Sequence, residues 1–292
     1  TNEEMRAELV KKALEWIRKD PQAGIISISQ NDCGGRCRCA RCAAVEAEEG
    51  APSGVLLRFV NAVAEEIHKE FPEVLVETLA YQYTRQAPKI TRPGDNVVIR
   101  LCSIECSFSQ PLQNGPQNED FARDIAAWRA IAPQLYIWDY VTNFANYLLP
   151  HPNLRVLAPN IRYFTDSKAI GLFEQGDAGS SGSDFPALRT WVLAHLMWDP
   201  SRNVESLIAE FLEGYYGKAA PALQGYISLI HDAVDRSAVP LRCYMADMPY
   251  ITLDDMNRAT AYFDEALEAV KEDPVVTERV IRARIPLDYA WL

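Results

Sequence analysis

The chain has 292 residues, 48% of them hydrophobic and 24% charged, an ordinary globular composition that excludes disorder as the main theme. A formal charge of -11 leaves no basic face for a nucleic-acid backbone or an anionic membrane, so neither is expected as a partner. No apolar run reaches the roughly 18 residues of a membrane span.

The opening stretch TNEEMRAELVKKALEWIRKD is spaced as an amphipathic helix and lacks the apolar core of a signal peptide. GIISISQND follows as a buried strand leading into a polar loop. A fold that starts on a helix, with no strand before it, implies a piece cut from a longer protein, with the remaining N-terminal part of the parent chain as its partner. After a cysteine-rich loop, SGVLLRFVNAVAEEIHKEF is predicted as a helix. Ser53 is placed to cap it, Leu56, Phe59, Val60, Val63 and Ile67 share one face, and Pro72 follows its end. VLVETLAY and NVVIRLCSIEC are the next strands, and the polar loop 107–118 precedes the helix EDFARDIAAWRAIA. QLYIWDYVTN is a fourth strand, NLRVLAPNIRYFTDS a helix that tolerates Pro159, and KAIGLFEQGD a fifth strand ending in a Gly/Ser loop at 176–183.

Beyond that loop FPALRTWVLAHLMW, NVESLIAEFLEGYYG, AAPALQGYISLIHDAV and MNRATAYFDEALEAVKE are all helical, with Trp191, Trp198, Tyr215, Tyr216 and Tyr226 spaced as core residues. Alternating strands and helices, with strands that are almost continuously apolar, predict an α/β fold whose parallel sheet is covered on both faces. The expectation is the C-terminal five strands of a (β/α)8 TIM-type barrel over residues 1–183, then an all-helical extension over 184–292 packed on the barrel. An open sheet is the alternative.

In parallel α/β folds the site lies at the C-terminal ends of the strands. Those ends carry Asn31 and Asp32, Tyr81 and Tyr83, Glu105, the group Trp138, Asp139, Tyr140 and Asn143, and Glu174 with Gln175. Carboxylates flanked by Trp and Tyr suit glycosidic cleavage: one acid protonates the leaving oxygen, another acts as nucleophile, base or stabiliser, and aromatic faces stack on sugar rings. Glu105, Glu174, Asp32 and Asp139 are the candidate catalytic groups; Asn31, Tyr81, Tyr83, Trp138, Tyr140, Asn143 and Gln175 are candidates for binding substrate. Glu105 and Glu174 follow apolar runs directly, where burial raises a carboxyl's pKa and suits a general acid. Each has a plainer reading: a buried Glu paired with Arg100 or Arg85, an Asx turn at Asn31-Asp32, a packed strand end around Asp139.

Cys33, Cys37, Cys39 and Cys42 follow the order C-x3-C-x-C-x2-C, which suits a structural zinc or two disulfides; the crowded C-x-C pair favours zinc. Cys102 and Cys106 read as core thiols. His68, His151, His195 and His231 are scattered with no H-E-x-x-H, and no G-x-G-x-x-G or P-loop occurs, so no cofactor is expected for catalysis.

Together SISQNDCGGRCRCARC, TLAYQYTRQAPKITRPGDNVVIRLCSIECSF, LYIWDYVTNFANYLLPHPNL and GLFEQGD resemble, over residues 24–226, a domain of unknown function found in large exported proteins of glycan-degrading gut and soil bacteria, part of which is classed as glycoside hydrolase family 163. The resemblance implies a TIM barrel, a secreted, periplasmic or cell-surface location, and a glycan or glycoprotein substrate. It further implies endo-β-N-acetylglucosaminidase action on complex N-glycans, retaining and assisted by the substrate acetamido group. Related barrel enzymes acting on N-acetyl sugars carry two acids where this chain has Asn31-Asp32. Glu105 is the leading acid and Glu174 the second, with Asp32 and Asp139 orienting the acetamido group or leaving sugar. The competing readings are an α-glucuronidase-like inverting enzyme, with Arg85, Lys89, Arg92 and Arg100 for a uronate, and a non-catalytic carbohydrate-binding barrel.

Overall fold

The computed structural model describes residues 2–180 and 182–292; Thr1 of the expected first helix and Ser181 of the expected Gly/Ser loop lie outside the described residues. In chain order the elements are α1 (Glu3–Lys19), β1 (Ile25–Ser27), α2 (Ala40–Glu49), α3 (Ser53–Glu70), β2 (Leu75–Ala80), β3 (Val97–Cys102), α4 (Glu119–Ile131), β4 (Gln134–Tyr140), α5 (Leu154–Asp166) and β5 (Ala169–Gln175). The helices α6 (Pro186–Trp198), α7 (Val204–Tyr216), α8 (Ala220–Ser237), α9 (Leu253–Val270) and α10 (Pro274–Ala290) complete the chain. Among the described residues no helix is long and apolar enough to cross a membrane.

All five expected strands form, in one sheet ordered β1-β2-β3-β4-β5, and the pairs from β1 to β4 are parallel. Sequential order means that each connection steps the same way, so right-handed crossovers place their helices on one face. That is the winding of a barrel, and a doubly wound sheet would instead reverse its order at a switch point. Val76, Val97, Ile99, Leu101, Leu135 and Ile137, which share one face by register, are buried, and α3 packs on β2 and β3. Burial on both faces was expected of every strand, but β1 and β5 are the outer strands of the five and leave Ile25, Ile170 and Phe173 exposed.

Two helices were not foreseen. α2 forms within the expected cysteine loop because ARCAAVEAEE is rich in strong helix formers; it closes on Gly50, whose φ of 71° is the left-handed conformation that glycine adopts without strain. α10 starts on Asp273, which accepts from the amides of Val275 and Val276, with Pro274 at its first position. Ser53 does not cap α3: its hydroxyl donates to the Gln86 carbonyl at 2.5 Å, and Pro52 holds the cap position. The buried stripe of α3 runs through Leu57, Val60, Val63, Ala64 and Ile67, whereas Leu56 and Phe59 lie at its margin. Trp198, expected in the core, is 92% exposed, because two positions past buried Leu196 an α-helix has turned about 200°.

The chain divides into two compact units. One holds residues up to Ile104 together with Asp120–Asp139 and Asp166–Phe173; the other holds Glu105–Glu119, Tyr140–Thr165 and Glu174–Leu292. In the first unit Glu49 is fully buried at the end of α2. It accepts from Arg58 Nε at 2.8 Å, from the Thr91 hydroxyl at 2.5 Å, and from the amides of Ile90 and Thr91 at 3.0 Å. Gly54 makes room for it, since a Cβ there would stand 2.3 Å from Glu49 Cγ. In the second unit the buried Arg189 of α6 donates to Asn153 Oδ1 at 3.0 Å, to the Asp184 carbonyl at 2.5 Å, to the His151 carbonyl at 3.1 Å and to the Asp184 carboxylate at 3.1 Å. Asn153 in turn donates to the Val141 carbonyl, so this one guanidinium fastens the chain between β4 and α5 to α6.

Burial, the largest influence on Glu49, favours its neutral form, but the Thr91 hydroxyl and amide, the Ile90 amide and Arg58 outweigh it and hold the carboxyl down at about 2. A folded pKa below the ordinary 4.5 contributes stability that is complete above 4.5 and is lost as pH falls toward 2. Glu49→Gln is therefore expected to cost on the order of 3 kcal/mol near neutrality and to flatten the acid limb of the stability profile. Urea unfolding of both proteins at about pH 7 and about pH 3 measures this; parallel losses on acidification would assign the acid sensitivity to other groups.

Candidate functional site

The first unit carries the ends of β1 and β2. Asn31 and Asp32 are exposed, and Asp32 Oδ1 accepts from the hydroxyl of nearly buried Tyr81 at 3.1 Å. Gln30 and Thr84 brace that turn: the Thr84 hydroxyl donates to Gln30 Oε1 at 2.6 Å, and Gln30 Nε2 donates to the Tyr81 carbonyl at 3.2 Å. Tyr83 is half-buried, with the Arg36 guanidinium 6.0 Å from its ring centre, and burial, followed by nearby Cys33, raises its hydroxyl pKa.

Strand alternation sorts the residues at the end of β4. Arg100 stands opposite Leu79 and Tyr136 in register, on the face away from the buried apolar row. Its guanidinium pairs with buried Glu77, lies 4.5 Å from the Tyr136 ring centre and 5.5 Å from that of Trp138. Phe173 meets Trp138 edge-on at 5.0 Å, and Gly171 lets the Tyr136 ring approach where a Cβ would stand 2.0 Å from it. Asp139 is the next residue and turns to the opposite face, where it is 2% exposed and accepts a hydrogen bond from the Ser103 hydroxyl. Trp138 and Asp139, adjacent in sequence, thus face opposite sides of the sheet.

The four basic residues considered for a uronate lie in the first unit, and three of them have protein partners. Arg85 pairs with Asp124 at 2.6 Å, Arg100 pairs with Glu77, and Arg92 donates to the carbonyls of Lys89 and Ile90.

The second unit carries Glu105 and Asn143 on the loops after β3 and β4, and Tyr140, Glu174 and Gln175 as the last residues of β4 and β5; Tyr140, expected to touch substrate, is buried where β4 ends. Glu105 was expected to be buried, but it is exposed: β3 ends at Cys102 and three residues later the chain is already in a turn. The loop beneath it is built on two buried asparagines. Asn118 accepts from the Ser107 amide at 2.8 Å and donates to the carbonyls of Ser107 and Gln110, and Asn160 accepts from the Leu112 amide at 2.9 Å. Glu174 is half-buried, with both carboxylate oxygens out of solvent, and the Gln175 carbonyl accepts from the Val141 amide at 3.0 Å.

A segment the sequence left unread, residues 241–245, joins these loops. The Leu241 carbonyl accepts from the Phe108 amide at 2.7 Å, Arg242 donates to the Glu105 carbonyl, and the Cys243 carbonyl accepts from the Phe144 amide at 2.7 Å. Asn143, expected to touch substrate, is buried and clasps Met245 at both backbone groups: its Oδ1 accepts from the amide at 3.0 Å and its Nδ2 donates to the carbonyl at 2.9 Å. Tyr244, 60% exposed, packs its ring 5.8 Å from Phe144, which also meets Tyr140 and Tyr147 at 5.9 Å. Exposed Glu105 and an aromatic surface are therefore held by one five-residue segment.

The cysteine loop gathers three of its four thiols. The sulfurs of Cys37, Cys39 and Cys42 all lie within 4.8 Å of one another, whereas Cys33 is exposed with its sulfur 3.8 Å from the Gly35 carbonyl. Cys39 is pushed down to about 7, first by the Cys42 amide and then by the Cys37 and Cys42 thiols. Cys102 and Cys106 are buried, as expected.

Residues 1–228 match a family model described as a domain of unknown function, DUF4838. The chain belongs to the DUF4838 family. No curated protein matches it. Among solved structures the DUF4838 chain is similar to a GH138 enzyme targeting pectin rhamnogalacturonan II, with 10% identity and a TM-score of 0.41. That likeness covers 81% of this chain and 41% of the enzyme, so the chain spans less than half of that protein's length.

The clasp on Met245 yields a direct test. Asn143→Ala is expected to cost about 1–3 kcal/mol through the buried backbone groups it leaves unpaired, and to speed hydrogen exchange at the Met245 amide ahead of the β2–β4 amides. Unchanged exchange at Met245 would show that the segment is held by its other bonds.

Proposed function

We propose that this DUF4838 domain belongs to a glycoside hydrolase acting on N-acetylglucosamine-containing glycans, with an endo-β-N-acetylglucosaminidase-like activity. The observation that supports it most is that one segment of the second unit, residues 241–245, carries the exposed ring of Tyr244 and, through Arg242, also bonds the backbone of Glu105, whose side chain is exposed. A sugar stacked on such a ring brings its glycosidic oxygen within reach of a neighbouring acid. In this reading Glu105 protonates the leaving oxygen and later deprotonates water, Glu174 is the second carboxylate, and the substrate acetamido oxygen attacks the anomeric carbon. Gln175 closes β5 beside Glu174, and Glu105 precedes a loop whose buried asparagines hold it in one position.

Asp32 with Tyr81, and Trp138 beside Arg100, are candidate glycan contacts within the first unit. The sequential parallel sheet suits one arc of a TIM-type barrel over residues 1–183, with 184–292 as its helical extension. The sequence resemblance supports export to a secreted, periplasmic or cell-surface location.

The test is release of free glycan from a complex N-glycoprotein by the full-length protein, read by mass spectrometry. Cleavage between the two core N-acetylglucosamines is expected, and Glu105→Gln is expected to slow it roughly a thousandfold while leaving the unfolding midpoint in place. A variant as fast as the parent removes Glu105 from the chemistry. A parent that leaves the glycoprotein whole but binds its glycan supports the non-catalytic carbohydrate-binding reading.

A further inference from the structure

We propose that Cys37, Cys39 and Cys42 bind a zinc ion that clips the loop between β1 and α2. The three thiols converge through the local backbone. Cys39 is extended at the cap position of α2, so Cys37, two residues earlier, shares its side, and Cys42 is the third residue of the helix, the position a cap side chain faces. Their sulfurs lie within 4.8 Å of one another. Tetrahedral zinc with bonds of about 2.3 Å holds its sulfurs about 3.8 Å apart, so closure on a metal needs only a small contraction.

The chemistry of the set selects the ion. Thiolates are soft donors that favour zinc over magnesium or calcium, and the unpaired amides at a helix N-terminus stabilise their negative charge. Cys42 is buried while Cys37 and Cys39 are exposed, so the cluster opens to solvent on the side from which an ion enters and where water takes the fourth position. Cys33 stands outside the set before the Gly34-Gly35 step, its sulfur directed to the Gly35 carbonyl. A metal here would fix the chain that presents Asn31 and Asp32 without entering any reaction, so this inference is independent of the proposed glycosidase activity.

The experiment uses the full chain expressed untagged, purified without chelator, and measured for metal content by mass spectrometry. About one zinc per chain is expected, along with cobalt reconstitution giving a thiolate-to-cobalt charge-transfer band. Cys37→Ser and Cys39→Ser alter exposed residues, and each is expected to weaken zinc binding at least roughly a hundredfold in chelator competition while far-ultraviolet circular dichroism stays unchanged. Cys33→Ser is expected to keep both the metal and the cobalt band. Zinc content that is low and equal in the parent and Cys37→Ser overturns the proposal, as does an intact mass short of two hydrogens, the mark of a disulfide within the cluster. Loss of zinc in Cys33→Ser overturns the three-thiol assignment.

Discussion

A strand turns successive side chains to opposite faces, and a sheet wound in one direction has its crossover helices on only one of them. That constraint sorts the first unit. Val76, Val97, Ile99, Leu101, Leu135 and Ile137 take one face and are buried; Glu77, Arg100, Tyr136 and Trp138 take the other, where a cation lies over aromatic rings. Val98 and Cys102 are buried on that second face too, so the charged and aromatic group there sits among buried neighbours and is satisfied by the Glu77–Arg100 pair. Asp139 and Trp138 separate by the same alternation.

Buried charge in this protein serves connections. Glu49 gathers the end of α2, Arg58 of α3 and the loop before β3; Arg189 gathers the chain between β4 and α5 onto α6. In both cases an ionised group is surrounded by backbone donors or acceptors that a loop would otherwise leave unsatisfied, which favours one loop conformation over its competitors. Glu105 is the contrast: its loop is fixed by neutral asparagines and its carboxylate stays exposed.

The strands and most helices were legible because their signals are local: apolar β-branched runs, helical periodicity, Gly and Pro at the ends. α2 was hidden by its cysteines, which read as loop, and α10 by Pro286 and a charged surface. Glu49, in the run EAEEG, looks like a solvated helix end until Arg58 and Thr91 are brought to it. Which of Trp138 and Asp139 faces the core depends on register, which neighbouring strands decide. The segment LRCYM at 241–245 has no periodicity at all, and Glu105 and Asn143, which it holds, lie 137 and 102 positions before their partners Arg242 and Met245. Candidate site residues could be sorted by strand end from sequence; their partners could not.

The distance between that segment and the loops it holds also sets an order of events. Arg242 leaves the ribosome 137 residues after Glu105, so every strand can be made while the loops of the second unit still lack their clasp. The family match ends at residue 228, ahead of the segment, so a boundary drawn from shared sequence would sever these loops from their fastening. A fragment trimmed there would keep every strand and lose the bonds that 241–245 makes to Glu105, Phe108, Asn143 and Phe144.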